Sequence, residues 1–134
     1  MMRTLARLTI VAFAAFAAAP AAAQMEGSYD LMEINGQAVP VPSPGEDGVV
    51  MSKMSLVLTP EGRFVLQFTV EVAGVPQQIE EEVEGTFAVT GDTLAITSQN
   101  REENRTVHFR FALADGTLRL YDFRDDEYTL RRRR

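Results

Sequence analysis

The feature that most restricts the fold is the spacing of apolar side chains, which take every second position over much of the chain. The pattern is clearest at residues 63–73, where one face is apolar and the other is mostly polar. An amphipathic helix would repeat its apolar positions every three or four residues instead. A period of two is typical of an antiparallel strand with one face buried and one face in water. The sequence therefore predicts an all-β protein.

The same alternation recurs between short turn signals along the chain. Asn35-Gly36 and Thr59–Gly62 are two such signals, because Asn, Pro and Gly favour the backbone angles of tight turns. Short connections favour pairing of consecutive strands, and eight sequential strands can close into a small barrel. An open β-sandwich is the alternative. The predicted strands cover about residues 27–34, 51–58, 63–73, 78–89, 93–98, 105–113, 117–124 and 127–132.

One stretch resists strand assignment. Residues 37–48 contain Pro40, Pro42 and Pro44, and proline has no backbone N–H to donate to a ladder. We expect an extended loop that crosses one end of the barrel.

The first residues differ from the rest of the chain. Arg3 and Arg7 precede an apolar run over residues 8–19, and small residues follow it up to Ala23. A basic start, a short apolar middle and a small-residue end are the parts of a secretory signal peptide. The apolar run is shorter than the roughly 20 residues that span a bilayer. We predict a signal peptide at residues 1–23, and export to the periplasm or the extracellular space.

Residues 24–134 are then one domain, with no membrane span after cleavage. The chain carries 13 basic and 19 acidic residues, for a net charge of −6, and loss of Arg3 and Arg7 would lower it to −8. An acidic surface disfavours nucleic acid as a partner. The chain has no Cys, so disulfides and thiolate ligands are excluded.

Several segments carry a family resemblance. They are Gly27–Leu31, Ile34–Pro40, Leu58–Phe64, Gly85–Leu94 and Tyr121–Arg124. Together they resemble short exported bacterial lipocalin-like β-barrel domains, a mostly uncharacterised family, over nearly all of residues 24–134. The resemblance implies the barrel fold and an interior that holds a small ligand. The chain departs from lipocalins in having Tyr29 where a Trp is expected, no Trp elsewhere and no C-terminal helix.

No residue cluster predicts a catalytic or metal site. A nucleophile needs a neighbouring base, and the single His, His108, falls on the polar face of a strand. One His without Cys does not make a zinc site of ordinary type. We therefore expect no catalytic residues, no metal and no cofactor, and a protein that is not an enzyme. A carboxylate-only enzyme ranks below the binding functions.

The interior-facing side chains are the candidate ligand contacts. Glu81 shares a face with its apolar neighbours and would need a partner or a raised pKa there, unless a bulge near Gln78 or Val83 returns it to solvent. The candidates are Tyr29, placed near the closed end, and Phe64, Phe68, Glu81, Phe87, Phe109 and Phe111.

Two binding functions follow from this pattern. The first is a non-enzymatic domain that holds a small hydrophobic molecule in the barrel. The alternative is a structural or protein-interaction domain that uses the proline-rich loop at residues 39–48 and the outer strand faces, including Glu80–Glu84.

Overall fold

A computed structural model describes residues 23–99 and 104–134. The predicted signal peptide lies outside the described residues except for Ala23, as do residues 100–103, between the predicted strands at 93–98 and 105–113. Residues 23–25 are helical, and ten strands follow. They are β1 (Gly27–Ile34), β2 (Gln37–Ala38), β3 (Val41–Pro42), β4 (Val49–Leu58), β5 (Arg63–Val72), β6 (Ile79–Thr90), β7 (Thr93–Gln99), β8 (Asn104–Ala114), β9 (Thr117–Tyr121) and β10 (Glu127–Arg132).

The eight long strands form a closed antiparallel barrel. From β4 to β10 each strand pairs with the next, and β10 pairs with β1. The first half of β1 also pairs with β4, from Gly27 opposite Leu58 to Asp30 opposite Ser55. That pairing joins the two edges of the sheet, so the predicted up-and-down barrel is confirmed and the open sandwich is wrong. Closure leaves no long edge strand exposed in the barrel wall.

The proline-rich loop is more ordered than predicted. Residues 37–48 include β2, which forms a hairpin with β1 around the Asn35-Gly36 turn, and β3, which pairs with β4. Pro40 and Pro42 donate nothing, but the N–H groups of Val39 and Ser43 bond the carbonyl oxygens of Met32 and Val49. The prediction that prolines keep this segment out of the sheet was wrong. The residues that precede or follow the prolines, Val39 and Ser43, donate the backbone hydrogen bonds that the prolines lack.

Two β-bulges set which side chains face inward. On β1 the register shifts at Met32, and on β4 it shifts at Ser52. An extra residue reverses the alternation. Met51, before the bulge, and Met54, after it, therefore both face inward although they are three residues apart. Without the bulge the two halves of β4 would bury opposite faces.

One end of the barrel is filled. Its core consists of fully buried side chains from β1, β4, β5, β7, β9 and β10 together with Met25, which precedes β1. Apolar burial of this kind is the main favourable term in folding. Met25 is held at this end by the Tyr29 hydroxyl, which donates a hydrogen bond to its carbonyl oxygen.

Candidate functional site

The other end of the barrel is hollow. A cavity of about 670 Å³ opens there, with walls that are predominantly apolar. We call its opening the mouth, which is bordered by residues 43–46 and the β9–β10 turn at residues 122–126. The β5–β6 turn at residues 73–78 is at the same end of the barrel but contributes no residue to the cavity lining. The interior is therefore divided between a packed half and an empty half.

Four of the seven predicted side chains line this cavity. Phe64 lies at its floor and is almost fully buried, while Phe68 and Phe109 contribute to the wall. Glu81 lines it nearer the mouth. The alternation that predicted the strands also brings these four residues together, since they occupy inward positions on β5, β6 and β8.

The other three predicted side chains lie away from the cavity wall. Phe87 and Phe111 are partly buried and pack against the filled core. Tyr29 is fully buried at the closed end. Its hydroxyl donates a hydrogen bond to the Met25 carbonyl oxygen (2.7 Å) and accepts one from Nη2 of Arg132 (2.7 Å). These residues close the barrel and do not surround the empty volume.

Glu81 is on the cavity side of β6 without being buried. The β5–β6 pairing runs without a bulge and sets Glu81 opposite Phe68, so the predicted inward register is correct. The residue is nevertheless exposed, and its carboxylate forms no hydrogen bond or ion pair with any described residue. Solvent at the mouth hydrates the charge, so the expected need for a partner does not arise.

Sequence reasoning missed several residues of the cavity wall. Met51 and Met54 both line the cavity because of the bulge between them, and nothing in the apolar pattern marked that shift. Arg105 and Ser98 also line it. Their inward positions could have been found by continuing the alternation of β7 and β8 to the strand ends, which are paired with each other.

The rim of the cavity carries more negative than positive charge. Glu46, Glu81 and Asp122 line it, against Arg105 as the one cation among the described lining residues. A rim of this composition favours neutral or cationic groups over anionic ones.

Asp122 has a structural role in the β9–β10 turn. Its Oδ1 accepts hydrogen bonds from the backbone N–H groups of Arg124 (2.9 Å) and Asp126 (3.1 Å), and its Oδ2 accepts one from the Tyr128 hydroxyl (3.3 Å). Burial, with the nearby carboxylates of Asp122 and Asp126, raises the pKa of Tyr128 to about 12. These bonds end β9 at Tyr121, three residues before the predicted end at residue 124.

The remaining candidate surfaces are outside the barrel. Glu80, Glu82 and Glu84 are exposed on the outer face of β6, and Glu82 accepts a hydrogen bond from Gln67 (2.9 Å). His108 is exposed on β8. Over residues 23–99 and 104–134, no group of three or more His, Asp or Glu side chains is placed to hold a metal ion. Within the same ranges, no helix has the length and apolar character required to span a bilayer.

No protein family matches the sequence, and no curated protein matches it either. Among solved structures, the crystal structure of a mutant of the fluorescent protein UnaG is similar, with 12% sequence identity and a TM-score of 0.37. The match covers 81% of this chain and 96% of that one.

Proposed function

We propose that this protein is an exported, non-enzymatic binding protein that holds a small apolar molecule in the open half of its barrel. The observation that supports the proposal is the cavity of about 670 Å³ with apolar walls. Pockets that hold small ligands have volumes of about 300–1,000 Å³ and mostly apolar linings. A hollow this large in an otherwise packed barrel gives up dispersion contacts that a ligand would supply.

Export of the protein is part of the proposal. Ala23 and Gln24, on either side of the predicted cleavage point, are exposed, whereas Met25 is fully buried. Cleavage after Ala23 would therefore remove no residue of the described core and would leave the Met25 side chain, which fills the closed end, in place.

A variant that fills the cavity tests the binding function. Val83 lines the cavity from β6, so Val83→Trp adds a large side chain to the empty space. Ala88 is exposed on the same strand, and Ala88→Trp is the matched control with the added bulk on the outside. Nile red is a suitable probe because it is apolar and carries no negative charge that the acidic rim would repel.

We expect Nile red to bind the native protein and Ala88→Trp with bright, blue-shifted emission, and to lose at least tenfold in affinity for Val83→Trp. Far-ultraviolet circular dichroism checks that both variants fold. Equal affinity for the two folded variants would show that the dye binds elsewhere. Absence of binding to the native protein by Nile red and by other neutral apolar probes would contradict the proposed function.

A further inference from the structure

One aromatic side chain at the mouth lines the cavity and yet is exposed to solvent. Phe123 lies in the β9–β10 turn and contributes to the cavity lining, yet 84% of its surface is exposed. The other large apolar residues that are exposed have much lower fractions, such as 43% for Val75 in the β5–β6 turn. Exposure of a whole phenyl ring is unfavourable, because apolar surface in contact with water costs free energy in proportion to its area.

The backbone that carries Phe123 is held in place from both sides. Asp122 accepts hydrogen bonds from the N–H groups of Arg124 and Asp126. Asp125 forms an ion pair with Arg110 of β8, with 2.7 Å between Oδ1 and Nη2. These contacts define the conformation of the turn, and rotation of the Phe123 side chain is enough to move its ring without breaking any of them.

The ring rests on a neighbour that contacts the segment at residues 43–48. The guanidinium carbon of Arg124 is 5.2 Å from the centre of the Phe123 ring, a cation–π arrangement. The same guanidinium lies against Gly45, so closely that a Cβ at this position would overlap it. Gly45 thus leaves the space in which Arg124 crosses from the β9–β10 turn to residues 43–48.

We propose that Phe123 covers the bound ligand, by turning its ring from the Arg124 stack onto the apolar surface that the ligand presents at the mouth. The inference rests on the proposed function and adds to it the residue that controls release. Phe123 loses exposed surface when the cavity is occupied. The ligand accordingly has an apolar part at the mouth, with its polar groups directed to the acidic rim.

The rate of dye release tests this role. In stopped-flow dilution of the Nile red complex, we expect Phe123→Ala to release the dye about tenfold faster than the native protein, because apolar cover is lost. Phe123→Leu keeps an apolar side chain and should stay close to the native rate. Val75→Ala, at the same end of the barrel but outside the cavity lining, should leave the rate unchanged.

A second measurement uses the absence of Trp from the sequence. Phe123→Trp introduces a single Trp at the mouth, and Val75→Trp is its control. Saturation with decanol, confirmed by displacement of Nile red, should shift the emission of Phe123→Trp to shorter wavelength and reduce its quenching by acrylamide. Val75→Trp should show neither change.

The results separate the two proposals. If Val83→Trp abolishes dye binding but Phe123→Ala releases the dye at the native rate and Phe123→Trp is unaffected by decanol, the role of Phe123 is wrong while the binding function stands. If the native protein binds no neutral apolar probe, the binding function and the role of Phe123 are both wrong. Faster release from Phe123→Ala and Val75→Ala alike would also overturn the specific role of Phe123.

Discussion

Tyr128 and Tyr29 show how two similar side chains stabilise opposite ends of the barrel. Tyr29 is fully buried at the closed end, where its hydroxyl bonds Met25 and Arg132. Arg132 also stacks on the Tyr29 ring at 5.3 Å and donates to the carbonyl oxygen of Gln24. Tyr128 lies under the mouth and bonds Asp122. Each hydroxyl satisfies a polar group that would otherwise be costly to bury.

The raised pKa of Tyr128 predicts that the folded protein loses stability at alkaline pH. Its pKa rises from the ordinary value of 10.0 to about 12 in the folded protein, so the folded state holds the proton more tightly than the unfolded state does. The resulting stabilisation is complete below pH 10 and is lost as the pH rises towards 12. We expect the difference in unfolding free energy between the native protein and Tyr128→Phe, measured by urea unfolding, to decrease over this range. A constant difference would contradict the assignment.

Gly85 is the residue whose small size the barrel most requires. It is buried on β6, where a Cβ would overlap the carbonyl oxygen of Thr97 and approach Cε1 of Phe64 to 2.9 Å. Because the first neighbour is backbone, the strand itself would have to move. We expect Gly85→Ala to lower the free energy of unfolding by about 1–3 kcal/mol.

The control for Gly85→Ala is Thr86→Ala, the next residue on the same strand, which is exposed. Denaturant unfolding of both variants gives the comparison. A loss of stability as large in Thr86→Ala as in Gly85→Ala would show that β6 is sensitive to any change, and that the close contact at Gly85 is not the cause.

At the scale of the strand, the regular parts were predictable and the irregular parts were not. The alternation at β5 and β8 correctly predicted that Phe64, Phe68 and Phe109 lie inside the barrel. When one face of a strand is buried, a shift of one residue would expose all its apolar side chains, so the register is strongly specified. The Asn35-Gly36 turn was also predicted correctly, and both residues have positive φ (52° and 79°) as a two-residue hairpin requires.

Three local features made the observed strands β3, β4 and β9 differ from the predicted ones. The bulge at Ser52 reversed the alternation on β4, and no pattern of apolar residues signals an extra residue of this kind. Asp122 ended β9 early because its carboxylate competes for backbone N–H groups. The ladder of β3 formed despite Pro42, since only the N–H of a proline is missing and its neighbours supply the bonds.

The division of the interior into a filled and an empty half belongs to the whole molecule. It depends on which inward side chains lie at the same level of the barrel, and so on the pairing of all eight strands. Phe87 and Phe111 have the same alternation as Phe68 and Phe109, yet they pack against the core near the closed end. A single strand pattern gives the inward direction of a side chain but not its height along the barrel axis.

Processing of the N-terminus is also tested on the intact molecule. When the full chain is expressed in a bacterium with a periplasm, we expect the exported protein to begin at Gln24, as determined by intact mass and N-terminal sequencing. Ala23→Phe removes the small residue before the predicted cleavage point and should leave the precursor uncleaved. A cytoplasmic protein that retains residues 1–23 would contradict the predicted export.

The two ends of the described chain meet at the filled end of the barrel. Arg132 passes next to Gly27, and the N–H of Arg133 bonds the carbonyl oxygen of Ser28 (2.7 Å). Asp30 and Arg133 form an ion pair there as well, at 2.6 Å. A tag or tether joined to Arg134, or to Gln24 after the predicted cleavage, would thus emerge on the side opposite the opening. Immobilised through either of these residues, the protein would present its hollow half to the solution.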